Sequence, residues 1–201
     1  MSNGNFERMS KLYTKVSMLV MDGKRNADLV SDKLQEILEE KQRVLDFLGT
    51  VSIPATSGKF IVKDKFAVNT ADKSKVIISG TGSNFDEWFL GKTEKPIAKQ
   101  ELHYAKLLKR SADGPIIEEL GGEAKAETTL SEMYSLMENQ KDGRDGVLLN
   151  NGSANIFYIK DKNEVLRAVG VHWRGDGWCV DADSVEDPDA WYDGGQFFSR
   201  N

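Results

Sequence analysis

From Val165 to Ala182, apolar and polar residues alternate with a period of two on either side of Arg174–Gly177. Few structures other than an antiparallel β-hairpin accommodate such a run. Val169, Val171 and Trp173 then share one face with Trp178, Val180 and Ala182. Sliding the turn by one residue shifts the pairing by two, so this facing survives either register. His172, Cys179 and Asp181 fall on the opposite face. With Gly175-Asp176 as the turn, His172 stands directly across from Cys179; with the turn slid, it stands across from Asp181.

Two further strands are expected upstream, Val147–Leu149 and Ala154–Ile159. They are separated by Asn150-Asn151-Gly152, and Asp161–Glu164 leads into the hairpin. Ile156–Ile159 is apolar on both faces, which places it centrally in a sheet, covered by the preceding helix. That helix is signalled by Thr129 followed by Glu132 at capping-box spacing, with Leu130, Met133, Tyr134 and Met137 along one side.

The rest of the chain alternates helix and strand signals. Leu12, Val16, Leu19 and Val20 recur at helical spacing after a cap at Ser10. Asp22-Gly23 interrupts, and Leu29, Val30, Leu34, Ile37 and Leu38 form a second stripe. Thr50–Gly58, with Pro54, reads as a linker. Lys59–Lys63, Phe66–Asn69 and Lys75–Ser79 read as short strands. Ser83 caps a short helix carrying Phe85, Trp88 and Phe89. Ile97–Arg110 reads as a helix through Leu102, Ala105 and Leu108, and Pro115–Leu120 as one helical turn stopped by Gly121-Gly122. The fold expected is α+β: an N-terminal helical hairpin (1–49) and an α+β domain (59–201, divisible at 122/123). In that domain a small β-containing middle precedes a helix packed on an antiparallel meander.

Glu119–Leu130 (ELGGEAKAETTL), Ala154–Tyr158 (ANIFY), Asp176-Gly177-Trp178 and Phe198–Asn201 (FSRN) resemble blocks of a family of uncharacterised bacterial proteins. The resemblance spans about residues 59–201, more loosely the N-terminal helices, and implies no activity.

Charge and composition narrow the function classes. The chain is 39% apolar and 29% charged with a net charge of −5, a globular rather than a disordered balance. Residues 59–110 hold 11 Lys and Arg against 6 Asp and Glu; residues 111–201 hold 8 against 18. The basic middle interleaves Lys59, Lys63, Lys65, Lys73, Lys75 and Lys92 with Phe60, Phe66, Phe85, Trp88 and Tyr104, a composition suited to single-stranded nucleic acid. The overall acidity opposes such binding, so nucleic acid is not an expected partner. Val16–Met21 is too short to span a bilayer, and Met1–Met9 carries no secretory h-region. One cysteine precludes an internal disulfide. The expected location is cytoplasmic, away from membranes.

No catalytic, cofactor-binding or metal-binding residue set is expected. Cys179 and His172 are the nearest to a nucleophile–base pair, but no third orienting residue accompanies them. Two histidines and one cysteine fall short of a structural zinc set. Asp176, Asp181, Asp183, Glu186, Asp187, Asp189 and Asp193 form an acidic tail without EF-hand spacing. Gly80 and Gly82 lack the third glycine of a dinucleotide loop. The function expected is therefore a non-enzymatic binding or adaptor protein, with a protein partner or a homo-oligomer, and Trp173, Trp178, Trp191 and Tyr192 as the candidate interface. The alternatives are an enzyme using Cys179 and His172 or the acidic tail, and a weak nucleic-acid binder through the basic middle.

Overall fold

A computed structural model of the chain describes residues 3–23, 26–71 and 73–200. The chain divides into two compact units, Met1–Arg43 and Val44–Asn201. The first consists of α1 (Asn3–Met21) and α2 (Ala27–Gln42). Ser10 lies inside α1 rather than capping it. Asn26 caps α2, its Oδ1 accepting from the N–H groups of Asp28 (2.8 Å) and Leu29 (3.2 Å). No described side chain from Ser10 to Gln35 is buried.

The second unit contains β1 (Leu45–Ile53), β2 (Phe60–Ile61), α3 (Val62–Lys65), β3 (Ile78–Thr81), α4 (Ser83–Phe89), β4 (Thr93–Glu94) and β5 (Gln100–Leu107). It continues through α5 (Asp113–Glu119), α6 (Glu123–Ala126), β6 (Glu127–Thr128), α7 (Leu130–Asn139), β7 (Asn155–Lys160), β8 (Leu166–Trp173), β9 (Trp178–Ser184) and β10 (Gln196–Arg200). Among the described residues the main sheet runs β1-β5-β10-β7-β8-β9-β3, with β6 also paired to β7, while β2 and β4 form a separate ribbon. The fold is α+β. The consecutive strands β7, β8 and β9 pair antiparallel as a meander, but the sheet that contains them is mixed: β10 and β6 run parallel to β7, and β3 runs parallel to β9. Because β3 and β5 join strands from the C-terminal half, one sheet crosses the 122/123 boundary.

Several expected elements take a different form. Within Ile97–Arg110 the chain forms strand β5 (Gln100–Leu107), not a helix. Leu102 is buried on one sheet face, Ala105 and Leu107 on the other. Apolar residues split between two buried faces of one strand can mimic a helical i, i+3 pattern. The expected linker begins inside β1. Lys59–Lys63 keeps two strand residues before turning into α3, and Phe66–Asn69 contributes only an isolated bridge from Asn69 to Ile78. Val147–Leu149 is not a strand. It is held by side chains: Gln140 Oε1 accepts from Leu148 N (2.7 Å) and Asn155 Oδ1 from Leu149 N (2.8 Å).

Two hydrophobic clusters flank the sheet. One joins Phe66, Phe85, Phe89, Met133, Phe157, Val171, Trp178 and Phe198; the other joins Ala105, Ile116, Ile156, Tyr158, Ala168 and Phe197. Residues Leu130–Met137 of α7 are all buried. The helix begins in the expected capping box, with Thr129 Oγ1 accepting from Glu132 N and Glu132 Oε2 accepting from Thr129 N (2.5 Å). Glu94 accepts from the next N–H groups, Leu130 (3.1 Å) and Ser131 (2.9 Å). A buried acid at a helix start is matched by free N–H groups and the helix dipole.

The Phe157 and Phe198 rings stack 4.3 Å apart at an interplanar angle of 6°. Phe198→Ala should destabilise the α+β unit by about 3–5 kcal/mol, the usual cost of emptying a buried aromatic site. The urea midpoint followed by tryptophan fluorescence checks this; an unchanged midpoint refutes it.

Candidate functional site

The β8–β9 hairpin turns at Gly175-Asp176. Arg174 N donates to Gly177 O at 3.0 Å, and Gly175 has φ 91°, a conformation that favours glycine. This register sets His172 across from Cys179 and Gly170 across from Asp181. The His172 imidazole is largely covered and the Asp181 carboxylate about half exposed, with Nε2 and Oδ2 3.9 Å apart. Donor atoms of His172, Cys179 and Asp181 all lie within 4.8 Å of one another, a spacing from which a small cation could be reached by all three.

Arg174 completes this cluster. Its Nε donates to His172 Nε2 at 2.8 Å, so the neutral imidazole carries its proton on Nδ1. Burial and the Arg174 charge lower the His172 pKa, against an opposing pull from Asp181. Burial and then Asp181 raise the Cys179 pKa, while Arg174 draws it down. A thiol held up in this way is a poor nucleophile at neutral pH. The neighbouring glycines also shape the cluster. A Cβ on Gly82 would lie 2.2 Å from Asp181 Oδ1, and one on Gly80 would lie 3.6 Å from Cys179 Sγ. Gly82 thus makes room for the Asp181 carboxylate, whereas a side chain at Gly80 would make only ordinary contact with Cys179.

A second polar centre lies around Asp113, a residue not singled out by its sequence context. Asp113 is buried, and its Oδ1 accepts from Tyr158 Oη (2.6 Å) and Trp191 Nε1 (2.8 Å). Desolvation raises its pKa, partly offset by these two hydrogen bonds and reinforced by Asp183 and Asp187. Asp113, Asp183, Asp187, Asp189, Trp191 and Tyr192 line a cavity of about 280 Å³. The acidic tail is therefore divided. Asp181 belongs to the hairpin cluster and Asp183, Asp187 and Asp189 to this cavity; Asp176, Glu186 and Asp193 are exposed elsewhere.

The four candidate interface aromatics do not form one exposed patch. Trp178 is fully buried and donates Nε1–H to Gln140 O (2.9 Å), with half-buried Trp173 edge-on to it. Trp191 packs against the other cluster, and Tyr192 is exposed beneath Arg110. The hairpin alternation that places Trp173 and Trp178 together puts Trp178 in the core and Trp173 against its edge. In the basic middle Phe60, Phe66 and Phe85 are buried, which removes their faces from base stacking.

In the N-terminal unit, α1 and α2 line an apolar cleft of about 580 Å³ through Leu12, Tyr13, Val16, Val20, Met21, Val30 and Leu34. Tyr13 is 73% exposed and Met21 86%. No protein-family model, curated protein or solved structure matches the chain.

Two outcomes follow. Alkylation of Cys179 by iodoacetamide in the folded protein should show a half-point above the free-thiol value of about 8.5; a half-point below neutral refutes the assignment. Asp113 has a raised pKa in the folded state, so its stabilising contribution is complete below the unfolded value and is lost as pH rises through the folded one. Asp113→Asn keeps an acceptor for Tyr158 and Trp191 and removes the charge. Its urea midpoint should fall less than wild type's as pH rises from the ordinary carboxylate range; parallel profiles refute this.

Proposed function

We propose that the chain is a non-enzymatic binding protein that assembles through its N-terminal helix pair, in the cytoplasm. One observation carries this: none of the described side chains between Ser10 and Gln35 is buried, although both helices are amphipathic. Helices of this length are marginal alone, and helices in proteins draw most of their stability from burying an apolar face. Covering Leu12, Tyr13, Met21 and Leu34 would each contribute up to about 1.5–3 kcal/mol.

The partner we assign is a second copy. In sequence α1 has three cations against one anion, and α2 has five anions against two cations. A two-fold axis can set α1 of each copy beside α2 of the other, so that helices of opposite net charge alternate around a four-helix bundle. The blocks that resemble uncharacterised bacterial proteins lie mainly in residues 59–201 and imply no activity. The raised Cys179 thiol and the neutral His172 favour binding over catalysis.

Sedimentation velocity of the full chain over a concentration series tests the proposal. Wild type should sediment as a dimer at high concentration, with helicity by circular dichroism rising as it assembles. Val16→Glu with Val30→Glu should leave a monomer whose α+β unit melts as before. A wild-type monomer at every concentration, with unchanging helicity, overturns it.

A further inference from the structure

We propose that His172, Cys179 and Asp181 form a mononuclear site for a divalent transition metal of the zinc class, with three protein ligands and a fourth position open. The site is independent of the helix pair and of its assembly.

The geometry follows from two adjacent cross-strand pairs. His172 faces Cys179, and on the same sheet face Gly170 faces Asp181. Donors thus occupy three corners of a rectangle and glycine the fourth. A Cβ built on Gly170 meets nothing within 4 Å, so space remains where a fourth protein ligand would stand. Nitrogen, sulfur and carboxylate oxygen all suit zinc, and three protein ligands with one open position is the arrangement of sites that take a further ligand. The three donor atoms lie within 4.8 Å of one another. Tetrahedral ligands at zinc are about 3.3–3.8 Å apart, given bond lengths of 2.0–2.3 Å. The 3.9 Å between His172 Nε2 and Asp181 Oδ2 is already close, and side-chain rotation supplies the rest.

A cation already lies against this cluster. Arg174, exposed on the turn, donates from Nε to His172 Nε2 at 2.8 Å, and its charge also acts on the Cys179 thiol. Its donation keeps the imidazole proton on Nδ1, so Nε2 has a lone pair to offer. When the metal enters, the guanidinium moves out to solvent. Cys179 releases its proton to water as the metal–sulfur bond forms, since a coordinating thiol is deprotonated outright. His103 lies on β5 against Phe47 and contributes nothing to this site.

Cobalt(II) titrated into the full chain tests the proposal. One equivalent should produce tetrahedral d–d bands and a near-ultraviolet sulfur-to-cobalt charge-transfer band, both displaced by zinc. Cys179→Ser should abolish the charge-transfer band. Asp181→Asn should weaken binding by about tenfold or more, the scale at which even outer-shell partners of a metal act. Arg174→Ala should bind more tightly than wild type, and His103→Ala should bind as wild type. Circular dichroism confirms that each variant is folded. If His172→Ala fails to fold, Arg174→Ala and Asp181→Asn still decide. Absence of a thiolate band in wild type overturns the site, as does binding unchanged by Cys179→Ser or weakened by Arg174→Ala.

Discussion

Phe197 and Phe198 point to opposite faces of one short strand, and the α+β unit is organised around that fact. β10 lies between β5 and β7. On one side it closes the β1–β5 ribbon, and on the other it pairs with the β7–β8–β9 hairpins. Phe198 stacks on Phe157 in the first cluster, while Phe197 meets Tyr158 and Trp191 in the second. Gln196, Phe197, Phe198 and Ser199 are all buried. Without this strand, two antiparallel groups would each expose a sheet edge and half a core. β10 therefore couples backbone pairing on both sides to apolar burial on both faces, and the remaining strands rely on this junction.

The two faces of the sheet are completed unequally. The first is covered by α4 and α7. On the second, α5, α6 and the segment around Trp191 cover the part built on Phe197, Ile156 and Ala168. Beyond Ala168, β8 continues to Gly170 and His172, while β9 presents Cys179, Asp181 and Asp183. Polar groups here stand partly desolvated beside a hydrophobic cluster. That is why His172 is shifted toward its neutral form and Cys179 toward its thiol. The same setting would let a divalent cation change the protonation of both. The helix pair shows the opposite imbalance: its described apolar residues are exposed or half-buried, whereas His172 and Cys179 on the second sheet face are partly desolvated.

Local chemistry was legible in sequence at several short-range signals, though not at the expected serine caps: Ser10 lies inside α1, and Ser83 is the first residue of α4, after Gly82. The Thr129–Glu132 capping box, the Pro115 helical turn and the facing of Val169, Val171, Trp178 and Val180 all follow from short-range rules. So does His172 opposite Cys179, once Gly175-Asp176 forms the turn. What stayed hidden was decided by distant partners. β5 is buried on both faces, so its apolar residues show no alternation. β10 has only Phe197-Phe198 between polar neighbours, and nothing local says that β5 and β7 lie on either side. Asp113 looks like an ordinary turn residue until Tyr158 and Trp191 arrive from strand and loop. The aromatics near the last turn suggested a surface, yet alternation had already placed Trp178 inward.

β1 ends the sheet order, and long edge strands recruit strands from other molecules. This edge is blunted in two places. Its start is occupied by Glu119, whose carboxylate accepts from Val44 N (2.7 Å) and Leu45 N (3.1 Å). Its middle is interrupted by a register shift between Phe47 and Gly49, a bulge of the kind that twists a ladder out of line. Phe47 and Leu48 are exposed at that interruption. The side chains best suited to seed intermolecular β-pairing thus sit where the backbone offers no unbroken row of donors and acceptors. An edge interrupted in this way is a poorer template for strand addition than an unbroken one.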